Sequence, residues 1–338
     1  MASTRIDIKL SETIKSIAKF RYYKLLYLRD YAINKDQKNV IINVDEEQSR
    51  ILKYYGSNIK YYLEIFSTGV EHRKLFKDKV LVIPAGIHYL SVTGVLDCHI
   101  DFSKAIDLKY LEYNYHINNK GNDAYKTMLW PPNLKYLLLY YYPYPLFNLP
   151  DGLQYLQLPL SISSGAIDNL PASLIGLDFT YTTFNSKHSA ELALIYLPYG
   201  LRYLKLHGGI KCELQNLPPT LEVLNLDADE YSQSLNCLPD NIRYLTLGNS
   251  RVPITKLPNA LKELTIYYDV VAKGGIYSRD TYDILADMNF PEGLEKLIII
   301  DELGLLDSEM QGAINDLIMN KMKNSNSTNR TQIQIKYC

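Results

Sequence analysis

The chain has 338 residues, with 36 Lys and Arg against 37 Asp and Glu and a formal net charge of −1. That balance argues against a nucleic-acid binder driven by a general positive field, and 15 Pro and 17 Gly are too few for a collagen-like or linker-rich chain. Hydrophobic residues at 47% against 22% charged place most of the chain in folded structure, and 30 Tyr against 8 Phe and 1 Trp leave one aromatic type to be explained.

The opening residues, MASTRIDIKL, hold no apolar run of the kind a secretory signal needs. No run of apolar residues is long enough for a membrane span, so no membrane contact is expected. Cys98, Cys212, Cys237 and Cys338 are dispersed without a CxxC, which is neither a disulfide framework nor a zinc ribbon and fits a reducing, cytoplasmic compartment. Residues 11–30 carry Ile14, Ile17, Ala18, Leu25 and Leu28 along one side and predict a helix. Residues 39–44, NVIINV, predict a strand, and Asp45 with Gln48 predicts a capped helix over 46–55. Residues 58–67 read as a decayed repeat strand.

From residue 84 one pattern recurs: Pro, two variable residues, Leu, two variable residues, Leu, one variable residue, then an apolar residue or an aromatic. Clear copies are LPDGLQYLQL at Leu149, LPASLIGLDF at Leu170, LPYGLRYLKL at Leu197, LPPTLEVLNL at Leu217, LPDNIRYLTL at Leu238 and LPNALKELTI at Leu257. Variants begin at Ile83, Trp130 and Phe290, and a degenerate copy at Lys104 has Ala105 in place of Pro. Most spacings lie within one residue of 20, and a period of 20–29 with this leucine pattern is the signature of leucine-rich repeats. The LxL half alternates as a strand with both apolar residues in the core, and the first Leu packs from the turn that leads in. Pro fixes that turn by setting its own φ and keeping the residue before it out of the helical region. One unit cannot bury its apolar side; stacked units can. The expected fold is an α/β leucine-rich-repeat horseshoe with a parallel concave sheet, ten repeats over 81–300 and little convex helix. Ten strands at about 4.8 Å make a sheet of about 45 Å. Residues 1–80 are expected to form a mixed α/β N-terminal cap. The long unit between Pro258 and Pro291 predicts a loop and short helix around Gly274–Asp287. Residues 307–322 predict a helix and 331–337 a strand, together a C-terminal cap over 301–338.

The residues flanking the core leucines fall into three outward columns on the concave face. The first, five past the Pro, reads Tyr89, Tyr110, Tyr136, Tyr155, Gly176, Tyr203, Val223, Tyr244, Glu263, Lys296. The second includes Glu112, Asp178, Lys205 and Asn225, and the third includes Tyr140, His207, Asp227 and Tyr267. Six Tyr in the first column exceed the chain's already high Tyr content. Tyr combines a stiff apolar body with a polar tip, which suits an interface; a ladder of neighbouring rings that protects the sheet is the structural alternative. The expected partner-binding set is Tyr89, Tyr110, Tyr136, Tyr140, Tyr155, Asp178, Tyr203, Lys205, His207, Asp227, Tyr244 and Tyr267.

The repeats resemble the FNIP-type leucine-rich repeat family of slime moulds and of giant DNA viruses of amoebae. Leu245-Thr246-Leu247-Gly248, then Pro253-Ile254 and Leu257-Pro258, carry the likeness best; Phe184-Asn185 matches in part and Phe147-Asn148 falls late in its unit. The resemblance implies a protein-binding solenoid and, for a viral protein, a place in the host cytoplasm or the virion. It also raises an F-box-like ubiquitin-ligase adaptor in the N-terminal segment, although the opening Leu-Pro of an F-box is missing. A self-assembling virion component is the other alternative, and smooth-edged solenoids also dimerise, which leaves a homo-oligomer open.

Nucleic-acid binding by aromatic stacking is disfavoured, because Glu112, Asp178, Asp227 and Glu263 share the face with the basic residues Lys109, Lys135, Arg202, Arg243 and Lys262 near its edge. No HExxH, GxSxG or phosphate-loop motif occurs, so no enzyme, cofactor or metal is expected. Cys98-His99-Ile100-Asp101 brings a thiol, an imidazole and a carboxylate close in sequence, but alternation along a strand separates them. His207 and Asp227, one unit apart in one column, read as a surface link.

Overall fold

The computed structural model describes residues 23–27, 39–41, 60–67, 79–83, 85–94, 98–115, 129–140, 142, 146–158, 169–180, 194–207, 210, 212–227, 231, 233–248, 254–267, 281–301, 306–324 and 332–337. They fall into two compact units, Met1–Leu160 and Ser161–Cys338.

The first unit contains β1 (Tyr23–Tyr27), β2 (Asn39–Ile41), β3 (Lys60–Ser67), β4 (Lys79–Val82), β5 (Ile87–Gly94), β6 (Cys98–Asp101), β7 (Tyr110–Tyr115), β8 (Tyr136–Leu139) and β9 (Tyr155–Gln157). Strands β1, β3, β5, β7, β8 and β9 pair in that order, all parallel. Strands β2, β4 and β6 make a second parallel sheet on the return path of the coil. The second unit contains β10 (Gly176–Asp178), β11 (Tyr203–His207), β12 (Val223–Asp227), β13 (Tyr244–Leu247), β14 (Glu263–Tyr267), α1 (Thr281–Asp287), β15 (Lys296–Asp301), α2 (Ser308–Asn324) and β16 (Gln332–Tyr337). Its strands β10 to β16 pair in chain order, each parallel to the next. One strand of the main sheet per coil, parallel to the next and in chain order within each unit, is the leucine-rich-repeat solenoid fold.

Register follows the repeat pattern. Leu90, Leu111, Leu137 and Leu156 are cross-strand partners in the first unit. Leu177, Leu204, Leu224, Leu245, Leu264 and Leu297 are partners in the second. All are buried, so each contributes about 1.5–3 kcal/mol of apolar burial.

The Pro-x-x-Leu half is a β-turn. The carbonyls of Pro131 and Pro150 in the first unit, and of Pro171, Pro198, Pro218, Pro239, Pro258 and Pro291 in the second, accept the N–H three residues on at 3.0–3.2 Å. A forked bond then locks each turn to the coil before it. The Lys109 carbonyl accepts the N–H groups of both Lys135 and Tyr136, and the Arg202 carbonyl those of Glu222 and Val223. The degenerate copy keeps the turn: Leu108 N donates to the Ala105 carbonyl at 3.3 Å. Ala105 N also donates to the Phe102 carbonyl at 2.9 Å, a bond that Pro cannot make. In the first variant Gly86 has φ 85 and donates its N–H to Asp107 Oδ2 at 2.8 Å, a left-handed position that suits glycine.

The ends differ from the sequence expectation in one place. Tyr23–Tyr27 lies inside the expected helix over 11–30 and is strand β1. Leu26 pairs with Leu63, which pairs with Leu90, so β1 takes the repeat register rather than the helical stripe. Tyr-rich sequence favours a half-buried strand, and pairing with β3 overrides the helical spacing of Leu25 and Leu28. The rest of that stretch and the expected helix over 46–55 lie outside the described residues. Strand β2 falls within the expected 39–44 strand, and β3 is the repeat strand expected over 58–67. Helix α1 occupies the long insertion, and α2 and β16 occupy the expected C-terminal helix and strand. Asp307 caps α2, its Oδ1 accepting from Met310 N at 2.8 Å. Lys321 Nζ donates to the carbonyls of Ala286 and Met288, fastening α2 to the end of α1.

Candidate interaction surface

In the first unit the Tyr column is a stack. Tyr89 and Tyr110 lie with ring centroids 4.0 Å apart and 9° between planes. Tyr110 to Tyr136 is 6.1 Å, and Tyr136 to Tyr155 is 6.5 Å. Parallel pairing puts one ring on each strand about 4.8 Å from the next, which is stacking distance. Tyr89, Tyr110 and Tyr155 are 6%, 4% and 4% exposed, while Tyr136 is half-buried. Burial, with the neighbouring Tyr89 and Glu112 adding, pushes the Tyr110 phenol well above its ordinary pKa. The Tyr89 hydroxyl donates to Glu112 Oε2 over a long 3.5 Å. Tyr140 is half-buried, with its N–H on the Tyr113 carbonyl at 3.2 Å. On the core side, Tyr142 packs against Trp130 and Tyr113, and Trp130 Nε1 donates to the Phe147 carbonyl at 3.0 Å.

The second unit arranges its face differently. Val223 lies between Tyr203 and Tyr244 in register, so those rings are two strands apart. Tyr203, Lys205, His207, Tyr244 and Tyr267 are all half-buried, with part of each side chain at the surface. Lys205 has Asp178 as its register partner on one side and Asn225 on the other; its carbonyl accepts from Phe179 N at 2.8 Å, and its Nζ makes no hydrogen bond or ion pair among the described residues. Asp178 is buried, its Oδ1 accepting from Thr180 N at 2.7 Å and from the Thr180 hydroxyl. Burial, with the Asp178 charge adding, pushes the Tyr203 phenol up. The Oδ1 of Asn225 and, in the first unit, the Nε2 of Gln157 are buried without a hydrogen-bond partner among the described residues. His207 and Asp227 are register partners on β11 and β12; the Asp227 side chain lies outside the described residues. Glu263 and Lys296 close the column with an ion pair at 3.3 Å.

A groove of about 250 Å³ runs along the rim where turns feed the strands of the second unit. Gly200, Thr220, Asn241 and Ala260 line it from the turn position two past each Pro, and Arg202, Glu222 and Arg243 from the position just before each strand. The turn donors point inward: Thr220 Oγ1 reaches the Tyr199 carbonyl at 2.5 Å, and Asn241 Nδ2 the Pro219 carbonyl at 2.7 Å. Arg202 gives Nε and a terminal nitrogen to Glu222 Oε1 at 2.9 and 2.5 Å. The Arg243 guanidinium is exposed and has no partner among the described residues. Sequence reading placed Arg202 and Arg243 at the sheet edge but missed the small turn residues. Their signal was the column two past each Pro.

Cys98, His99 and Asp101 lie on β6 of the return sheet, where Asp101 Oδ1 accepts Ser103 N at 2.8 Å. The side chains of Cys98 and His99 lie outside the described residues. Among the described residues no group of three or more His, Cys, Asp or Glu is placed to hold a metal ion, and no helix is long and apolar enough to cross a membrane.

No family model matches the sequence, and no curated protein matches it. Among solved structures, the chain is similar to an internalin of Listeria monocytogenes at 15% identity and a TM-score of 0.39, over 83% of this chain and 77% of that one. That likeness is too distant to bear on function, and the repeat fold rests on the strand order and register described above.

Proposed function

We propose that this protein is a non-enzymatic interaction module that holds a protein partner on the Tyr-bearing face of its repeat sheet. The observation that carries the reading is the contrast between the two units. The first spends its Tyr column on a buried ring stack, which stiffens the face. The second leaves Tyr203, Lys205, His207, Tyr244 and Tyr267 half-buried, with part of each side chain at the surface. Partly exposed aromatic anchors are what a protein interface uses. In the first unit Tyr136 and Tyr140 are likewise half-buried. Acidic groups on the same face oppose a nucleic-acid backbone, and the reading needs no cofactor.

The FNIP-type family remains the proposed affiliation, supported by strand β13 with Leu245 and Leu247 inward, then buried Ile254 and Leu257. In that reading residues 1–80 and 301–338 serve as caps of the repeats. The module works in a cytoplasm, that of the host for a viral protein.

A Lys205→Glu/Tyr244→Ala double variant tests the proposal, since both side chains are half-buried and neither is a core leucine. A partner recovered by affinity capture with the wild-type chain should be lost with the variant while the variant remains folded, its melting temperature lowered by no more than a few degrees. Retention of every partner by a folded double variant would remove the face from the account. Ligase subunits among the partners would favour the adaptor alternative, and recovery of a second copy alone would favour self-assembly.

A further inference from the structure

We propose that the rim groove of the second unit docks an acidic segment of a partner protein, with Arg243 holding its carboxylate and Ile175 with Tyr199 taking an apolar residue. This surface is separate from the Tyr-bearing face and stands or falls independently of it.

Charge sets the occupant. Arg202, Glu222 and Arg243 line the groove and sum to one positive charge. Arg202 is already tied to Glu222 through two nitrogens, so the charge left over sits on Arg243. One carboxylate neutralises it, whereas a phosphate dianion beside Glu222 would leave the groove negative. Geometry agrees. The hydroxyl of Thr220 and the amide nitrogen of Asn241 are turned to the carbonyls of the preceding turn, which leaves the Arg243 fork to bind the ligand. A planar guanidinium matches a carboxylate through two parallel hydrogen bonds.

The apolar end follows from register. Arg202 N donates to the Ile175 carbonyl, Glu222 N to that of Arg202, and Arg243 N to that of Glu222. Ile175 therefore stands three coils from Arg243, about 14 Å at 4.8 Å per strand, which about four extended residues span. Ile175 is 38% exposed and Tyr199, beside Gly200 at the groove floor, is 75% exposed. The docked segment thus carries an apolar residue about four positions from its acid.

The experiment uses the full chain and a fluorescein-labelled peptide, acetyl-Leu-Ser-Ala-Ser-Glu-amide, followed by fluorescence anisotropy. Replacing the peptide Glu by Gln, or Arg243→Gln in the protein, should each weaken binding about tenfold or more. Glu222→Gln should tighten it, because the groove gains a further positive charge. Acetate should displace the peptide better than inorganic phosphate at matched ionic strength. Arg243 is exposed, so its variant should melt with the wild type. The proposal is overturned if the Glu peptide does not bind, if Arg243→Gln binds it unchanged, if Glu222→Gln fails to tighten it, or if phosphate displaces it better than acetate.

Discussion

Tyr110 lies between Tyr89 and Tyr136 in the ring stack, and Tyr244 occupies the equivalent column position in the second unit half-exposed. The same residue type therefore does packing work in one place and presents surface in the other. Tyr110→Ala should cost about 3–5 kcal/mol, as for truncation of a buried aromatic, and Tyr244→Ala about 1 kcal/mol or less; urea denaturation reads both. Burial raises the phenols of Tyr110, Tyr203 and Tyr231. Below the ordinary phenol pKa of about 10, folded and unfolded chains both keep these protons. Above about 10 the unfolded chain gives them up and the folded chain does not, so stability falls as pH rises through that range. Tyrosinate absorbance from these groups should thus appear together with loss of the circular-dichroism signal. Reversible ionisation of every Tyr near pH 10 in a folded chain would contradict their burial. The column was legible in the sequence because strand alternation fixes which residues share a face. Its burial was not, because exposure depends on what the neighbouring rings do.

Each repeat is a turn followed by a strand, and the turn is where residue identity can be tested. Ala105 stands where other coils have Pro, yet its N–H bonds to the Phe102 carbonyl. Ala105→Pro moves the sequence toward the repeat consensus and should still destabilise by about 1–3 kcal/mol, through the lost donor and the unpaired carbonyl. An unchanged or raised midpoint in denaturant would show that this hydrogen bond contributes nothing. At the C-terminal helices, Lys321→Met should cost about 1–2 kcal/mol by leaving the Ala286 and Met288 carbonyls without their donor. The repeat strands of the main sheet were legible because Leu at fixed offsets has one way to be buried. Strand β1 was not: Leu25 and Leu28 suit a helical face as well as Leu26 suits a strand, and only its partner β3 decides between them.

At the scale of the molecule, a near-neutral chain with 30 Tyr presents mixed charge and aromatic surface rather than a single-sign field, which suits specific protein recognition. The repeat architecture was readable from period and spacing, whereas the partner is not encoded in either. Which columns remain accessible, and that the Arg243 guanidinium has no partner among the described residues beside a row of small turn residues, emerged from three-dimensional register. The most direct measurement of the central claim is quantitative affinity capture with three chains in parallel: the wild type, Lys205→Glu/Tyr244→Ala on the face, and Arg243→Gln on the rim. The account predicts a protein partner held by the wild type and lost from the face variant while that variant remains folded. Equal recovery of every partner by the wild type and the face variant would contradict it.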